Sequence, residues 1–261
     1  MGHHLGQVFI KDKNIIDKIV RESEVLPTDH VLEIGCGEGW FSLAMAEKCR
    51  HLTLVELDPE CLAITQNRLK DRNNVTFVKA DILTIDMSGW MDRPNRVIAN
   101  IPYYISAAIV EWLVTNRAYL DRNVLMVQKE FAQKLTAVPG TKALTSLTYF
   151  THYFFEVKLL FHVSRNVFRP VPAVDSSVVS LTRRSNLPFE VDADRFFAFI
   201  RSAMWARRKT LLNNLVNNPY HPYPRSVGAL PFLQQNPNRR ADTLTLADFY
   251  QLYQEIAEGQ H

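Results

Sequence analysis

No run of about eighteen uncharged apolar residues occurs in the 261-residue sequence, so no stretch of it reads as a membrane-spanning helix. The opening "MGHHLGQ" lacks the apolar segment of a secretory signal. A cytoplasmic protein without membrane partners is expected. Cysteine is scarce as well: Cys36, Cys49 and Cys61 are an odd number without ligand spacing. That argues against a disulfide framework or a zinc site, and reduced thiols with no metal are expected. Internal repeats and low-complexity tracts are absent, which removes repeat architectures. His3 and His4 stand at the very start and are given no chemistry.

What is present is an ordinary globular composition, 47% hydrophobic, in a chain long enough for one large α/β domain and a smaller addition. The formal charge of +3 is unevenly placed. Residues 183–261 hold ten Lys+Arg against seven Asp+Glu, and the first 182 residues balance at twenty each. Two clusters, Arg207-Arg208-Lys209 and Arg239-Arg240, carry much of the tail's charge. Such clusters are often solvated helix faces; their coincidence with the basic tail favours contact with a polyanion.

Short β-branched runs, "HVLEIG" (30–35), "LTLVEL" (52–57), "VTFVKA" (75–80), "RVIAN" (96–100) and "NVLMVQ" (123–128), read as strands. Helix-length segments "WFSLAMAEKC" and "PECLAITQNRLK" lie between the first three. The alternation predicts a parallel sheet covered on both faces, a doubly wound α/β fold. "EVKLLFHV" and "VDSSVVSLTR" follow without a helix between them, as a closing antiparallel pair would. After Arg184 the texture becomes helical, in "RFFAFIRSAMWA" and "LADFYQLYQEIA". A domain boundary is therefore placed near residue 184, giving domains 1–184 and 185–261.

The chemistry begins where "VLEIGCGEGW" ends a strand in a Gly-x-Gly turn and opens a helix. Such a turn lets backbone N–H groups approach a ligand, although it also serves as a plain strand-helix corner. Glu56 follows Gly35 by twenty-one positions, near the offset of a carboxylate that binds ribose hydroxyls, and a nucleoside-containing cofactor is expected. Asp81 ends the third strand, where it is placed to accept from an adenine amino group. "NIPYYIS" then delivers Asn100 and Tyr103 to the same carboxyl edge. A nicotinamide enzyme has no need of Asn-Ile-Pro-Tyr there, whereas an exocyclic-amine methyltransferase uses an amide oxygen for the amino protons and a ring for the flat base. The alternative is a helix cap by Asn100 with Pro102 in the first turn.

With these motifs in hand, the sequence resembles the ribosomal RNA adenine N6-dimethyltransferase family. Besides "EIGCGEG" and "NIPYYIS", the likeness runs through "LGQVFIKD", "VQKEFAQKLTAVPGTK", "FRPVPAVDSSVV", "RRKTLLNNL" and "RADTLTLADFYQL", nearly the whole chain. The last four favour the small-subunit rRNA branch over the macrolide-resistance branch. The resemblance implies a Rossmann-like S-adenosylmethionine-binding sheet with a small C-terminal helical domain. It implies that Gln7, Val8 and Ile10 cover the methionine end of S-adenosylmethionine, that Gly35 and Gly37 line its loop, and that Glu56 and Asp81 hold its ribose and adenine. Asn100 and Tyr103 would receive the target base, Phe168 would stack on its other face, and Arg207, Arg208 and Lys209 would contact RNA. Val8, Cys36 and Tyr104 depart from the family's common Asn, Pro and Asn.

The expected activity is S-adenosylmethionine-dependent N6-methylation of adenines in small-subunit rRNA, on an assembly particle, by a monomer. Alternatives are a large-subunit methylase of the resistance type and a noncatalytic nucleic-acid-binding factor on the same fold. No strong general base is visible in the motif, and catalysis is expected to rest on positioning and electrostatics.

Overall fold

The computed structural model describes residues 9, 10 and 12–258, and it divides into two compact units. The first contains residues 1–132 and 155–184, the second residues 133–154 and 185–261.

The first unit is built on β2 (His30–Ile34), β3 (His51–Glu56), β4 (Val75–Lys79), β5 (Arg96–Asn100), β6 (Arg122–Gln128), β7 (Phe155–Val163) and β9 (Ser176–Arg183), together with the short strands β1 (Phe9–Ile10) and β8 (Phe168–Arg169). The large sheet has the order β4-β3-β2-β5-β6-β9-β7. From β4 to β6 the neighbours are parallel; β9 runs antiparallel to both β6 and β7. Helices α1 (Lys13–Glu22), α2 (Trp40–Ala46), α3 (Pro59–Arg68) and α4 (Ser106–Thr115) accompany the parallel strands. All five residues of β2 are buried, as expected of a central strand covered on both faces.

Local chemistry sets the helix starts. Asp12 caps α1 by accepting from the N–H of Asn14 and Ile15, and Asp58 caps α3 with Pro59 at the first helical position. The ends of β2 and β5 remote from their carboxyl edge are tied by a buried polar network. Arg96 Nε lies 2.6 Å from Asp29 Oδ2, Asn95 donates to Asp29 Oδ1 and His30 N donates to Asn95 Oδ1. The strand order reverses between β2 and β5, the point where open α/β sheets gather ligands at their carboxyl ends.

The chain passes from the first unit through α5 (Lys129–Leu135) into the second and returns at β7 after α6 (Ser146–Phe154). The boundary near 184 drawn from the sequence therefore misses an inserted segment, residues 133–154. Packing explains its membership. The α6 rings meet those of α7 (Ala193–Ala203) and α10 (Leu246–Glu258): Tyr153 lies 5.4 Å from Phe197 and Tyr149 5.0 Å from Phe249. Edge-to-face rings at such spacing add stabilisation beyond their buried area. Helices α8 (Leu211–Asn217) and α9 (Pro231–Gln235) complete the unit. Ten Lys+Arg against seven Asp+Glu fall in this unit, and the first balances at twenty each. No helix of the described residues is long and apolar enough to cross a membrane.

Candidate active site

β2 runs into the glycine turn, β3 ends on Glu56, Asp81 follows two residues past the end of β4, and β5 ends on Asn100, because each βα connection must leave the sheet at the same edge. The turn after β2 is backbone-driven: Gly35 and Gly37 have φ of +74° and +52°, conformations that side-chain-bearing residues rarely adopt. A Cβ on Gly37 would also sit 2.8 Å from the Phe9 ring. Glu56 fastens this turn to β3, accepting from Gly37 N at 3.2 Å and Asp58 N at 3.0 Å. Each carboxylate oxygen keeps a second lone pair for an incoming hydroxyl. Asp81 Oδ1 accepts from Leu83 N and caps a 3-10 turn, while its side chain remains exposed.

These elements enclose a cavity of about 520 Å³, within the range of small-molecule sites. Ile10, Gly35, Gly37, Glu56, Asp81, Asn100 and Tyr103 all line it. Gln7 and Val8, the other two residues expected near the cofactor, lie outside the described residues. Arg207, Arg208 and Lys209 belong to the second unit.

Phe168 requires correction. It was expected to stack on a base, yet it is fully buried, pairs with Ile10 in the β1–β8 ladder and contributes its ring to the core cluster. A ring without exposed area offers no face to a ligand. Among the aromatic residues that line the cavity, Tyr104 is 67% exposed and Trp40 43%. The helix-cap reading of Asn100 also fails, because Asn100 ends β5, Pro102 holds the cap position of a 3-10 turn over Tyr103–Ile105, and Ile105 precedes α4. Tyr103 is fixed by a 2.7 Å hydrogen bond between its hydroxyl and Ser176 Oγ on β9; burial pushes its phenol above the usual range.

Glu33 was missed. It lines the cavity from β2, is 1% exposed, and its Oε2 has no hydrogen-bond partner among the described residues. Burial pushes its carboxyl up to about 8, opposed by the Ser42 hydroxyl and assisted by the Glu56 charge. The signal was in the sequence: one carboxylate within an otherwise apolar strand, two positions before the glycine turn. The cysteines offer no chemistry, since burial raises all three thiols, Cys49 to about 11 and Cys61 to about 12.

The cavity's charge discriminates between ligands. Glu33, Glu38, Glu56 and Asp81 line it, and no Lys, Arg or His does so among the described residues. A pyrophosphate would meet unbalanced repulsion there, whereas a nucleoside bearing positive charge would be attracted.

Comparison with known proteins agrees with this geometry. The family described as "Ribosomal RNA adenine dimethylase" matches residues 2–258. The small-subunit rRNA methyltransferase A of Chlorobium phaeobacteroides is 38% identical over 253 residues, covering 97% of this chain and 90% of its own. That of Geobacillus thermodenitrificans is 36% identical over 258 residues, covering 95% and 88% respectively. Among solved structures, a dimethyladenosine transferase from Plasmodium falciparum superimposes with a TM-score of 0.79 at 26% identity, covering 96% of this chain and 98% of its own. The 23S rRNA methyltransferase ErmE does so with 0.74 at 27%, covering 95% and 99%. With a match that begins at residue 2 and ends at residue 258, and an α/β sheet shared with an rRNA methylase and a dimethyladenosine transferase, the chain belongs to the ribosomal RNA adenine dimethylase family.

Proposed function

We propose that the protein transfers methyl groups from S-adenosylmethionine to the N6 atoms of adenines in small-subunit ribosomal RNA, acting on an assembly particle. The observation that carries the reading is the acidic cavity, lined by no Lys or Arg among the described residues, whose lining includes Asn100, Ile101, Pro102 and Tyr103. It suits a cationic nucleoside on one side and a flat amine on the other. The small-subunit substrate is favoured by relatives at 36–38% identity that carry that name.

When bound, S-adenosylmethionine supplies a methyl group on a positively charged sulfur. Glu56 would accept its ribose hydroxyls, Asp81 its adenine amino group, and the Gly35–Gly37 turn and Ile10 would enclose the remainder. The adenine N6 lone pair is delocalised into the ring, and Asn100's amide oxygen with a main-chain carbonyl of the same turn would draw the amino protons into a geometry that frees it. The methyl group would pass from that sulfur to N6, and the surplus N6 proton would leave to water. No general base is needed because the charge on nitrogen is held by preorganised acceptors. The target base must be unstacked to reach the cavity, with Tyr103 and Tyr104 as its aromatic walls. Arg208, Lys209 and neighbouring cations would hold RNA by its phosphates.

The test is methyl transfer from labelled S-adenosylmethionine to undermethylated small-subunit particles, with the modified positions mapped. N6-methylated adenines in small-subunit rRNA are expected. Label confined to large-subunit rRNA would overturn the substrate assignment, and no transfer to either would overturn the activity.

A further inference from the structure

Two large aromatic side chains stand exposed in the second unit, Trp205 at 49% and Tyr220 at 66%. They form a T-shaped pair, with ring centroids 5.8 Å apart and planes at 82°. In such a pair the ring that presents its edge has neither face covered by its partner. Here the backbone beneath both rings is stapled by two asparagines of one short region, each almost wholly buried.

Asn214 of α8, 1% exposed, donates from Nδ2 to the carbonyl oxygens of Ala203 and Ala206, one on each side of Trp205. Asn218, 3% exposed, accepts at Oδ1 from the N–H of Tyr220 and His221 and donates from Nδ2 to the carbonyls of Asn214, Leu215 and His221. Seven hydrogen bonds from two side chains thus fix the two turns that display the rings. Preorganisation of this kind lowers the entropy cost of binding.

The charge beside the pair points to its occupant. Arg208 and Lys209 follow Trp205 three and four residues on, are exposed, and make no ion pair with any described residue. Arg207 is different: it donates to the carbonyls of Lys142 and Thr141 and lies 3.8 Å from Asp242, so it is bound into its own unit. Open aromatic faces next to two uncommitted cations match a base and the phosphates that flank it.

We infer that Trp205 and Tyr220 form a stacking platform for an unpaired base of RNA, anchored by phosphate contacts to Arg208 and Lys209. The inference deepens the proposed function, resting on its reading of RNA as substrate, and adds a second point of base contact in a different unit from the methyl-transfer cavity. It predicts recognition of unpaired nucleotides by stacking, which is tolerant of sequence.

The test uses the full chain and a labelled single-stranded oligoribonucleotide of about 12 nucleotides, with a blunt duplex of the same sequence as the second probe. Trp205→Ala and Tyr220→Ala are each expected to weaken single-strand binding at least about fivefold, the lower end of base-aromatic stacking, and to leave the salt slope and duplex affinity unchanged. Trp205→Phe should retain most of the affinity. Arg208→Ala and Lys209→Ala should weaken both probes and each lower the single-strand salt slope by about 0.7. Photocrosslinking of a 5-bromouridine oligonucleotide to the wild-type chain gives a readout independent of variant folding, and the crosslink should fall on Trp205 or Tyr220. Wild-type single-strand affinity in both alanine variants, or crosslinks confined to other residues, would overturn the platform. Stacking at the pair by a protein that methylates no rRNA would refute the proposed function and leave the platform standing.

Discussion

Asn100 ends β5, and the N-cap positions that follow it belong to Pro102 and Ile105, so its substitution tests its chemistry apart from helix capping. Asn100→Ala is expected to leave the melting temperature nearly unchanged and to slow single-turnover methyl transfer by ~100-fold or more, the scale of losing one preorganised transition-state contact. Asn100→Asp keeps an acceptor but loses the amide donor and adds charge to a cavity already lined by carboxylates, so it should be impaired too. Full activity in Asn100→Ala would remove Asn100 from the mechanism. Glu33 makes a prediction of the opposite kind. Its folded carboxyl lies near 8 against an ordinary 4.5, so the folded chain holds a proton that the unfolded chain has released. Stability from this group is complete below about 4.5 and falls by about 1.4 kcal/mol per pH unit until about pH 8. Urea unfolding of the cofactor-free protein across that range should show wild type losing stability relative to Glu33→Gln, with the two running parallel above it. Curves parallel throughout would mean that Glu33 is ionised in the fold. Asn100 was legible because its motif is unusual at a strand end, whereas Phe168 misled because an aromatic in a conspicuous motif says nothing about which way its ring is turned.

The strands were legible for a physical reason: β2, β5 and β6 are buried along most of their length, so most of their residues are apolar and their boundaries fall where polar turns begin. The β1–β8 pair escaped because two residues per strand carry no periodicity. The network at the opposite end of β2 and β5 was equally silent, since nothing in the spacing of Asp29 and Arg96 announces that they meet. Arg96→Ala would leave the 4%-exposed Asp29 without its cation, and breaking a buried pair typically costs about 3–5 kcal/mol. The ion pair sits four residues along β5 from Asn100, roughly 13 Å away at the rise of a strand. A large drop in melting temperature with unchanged cofactor affinity in the folded fraction is therefore expected; calorimetry with S-adenosylmethionine on the folded variant checks it. Loss of affinity in a still-folded variant would show that the strand transmits strain to the cavity.

Across the whole molecule, the basic excess was visible in the sequence but its division of labour was not. Arg207 is committed to carbonyls and Asp242, and Arg208 and Lys209 are not, a distinction that three consecutive cations cannot reveal. Arg207→Ala should consequently lower the thermal midpoint of the second unit by more than Arg208→Ala does. Equal midpoints would mean that Arg207 is no more committed than its exposed neighbours. The inserted segment escaped as well, because "SLTYFTHYF" reads as a helix whichever unit it packs in.

That insertion has a consequence during synthesis. Tyr149 and its partner Phe249 are a hundred residues apart in the chain, so at about 5–20 residues per second the ring of α6 waits roughly 5–20 s for the helix that covers it. The first unit can close its sheet as soon as Arg183 is made, ahead of its neighbour. During that interval the growing chain carries a closed sheet and an α6 whose Tyr149 ring lacks its cover from α10, a surface of the kind that chaperones grip. A stop codon before α10 would therefore do more than shorten the tail: it would strand residues 133–154 permanently in that unfinished state.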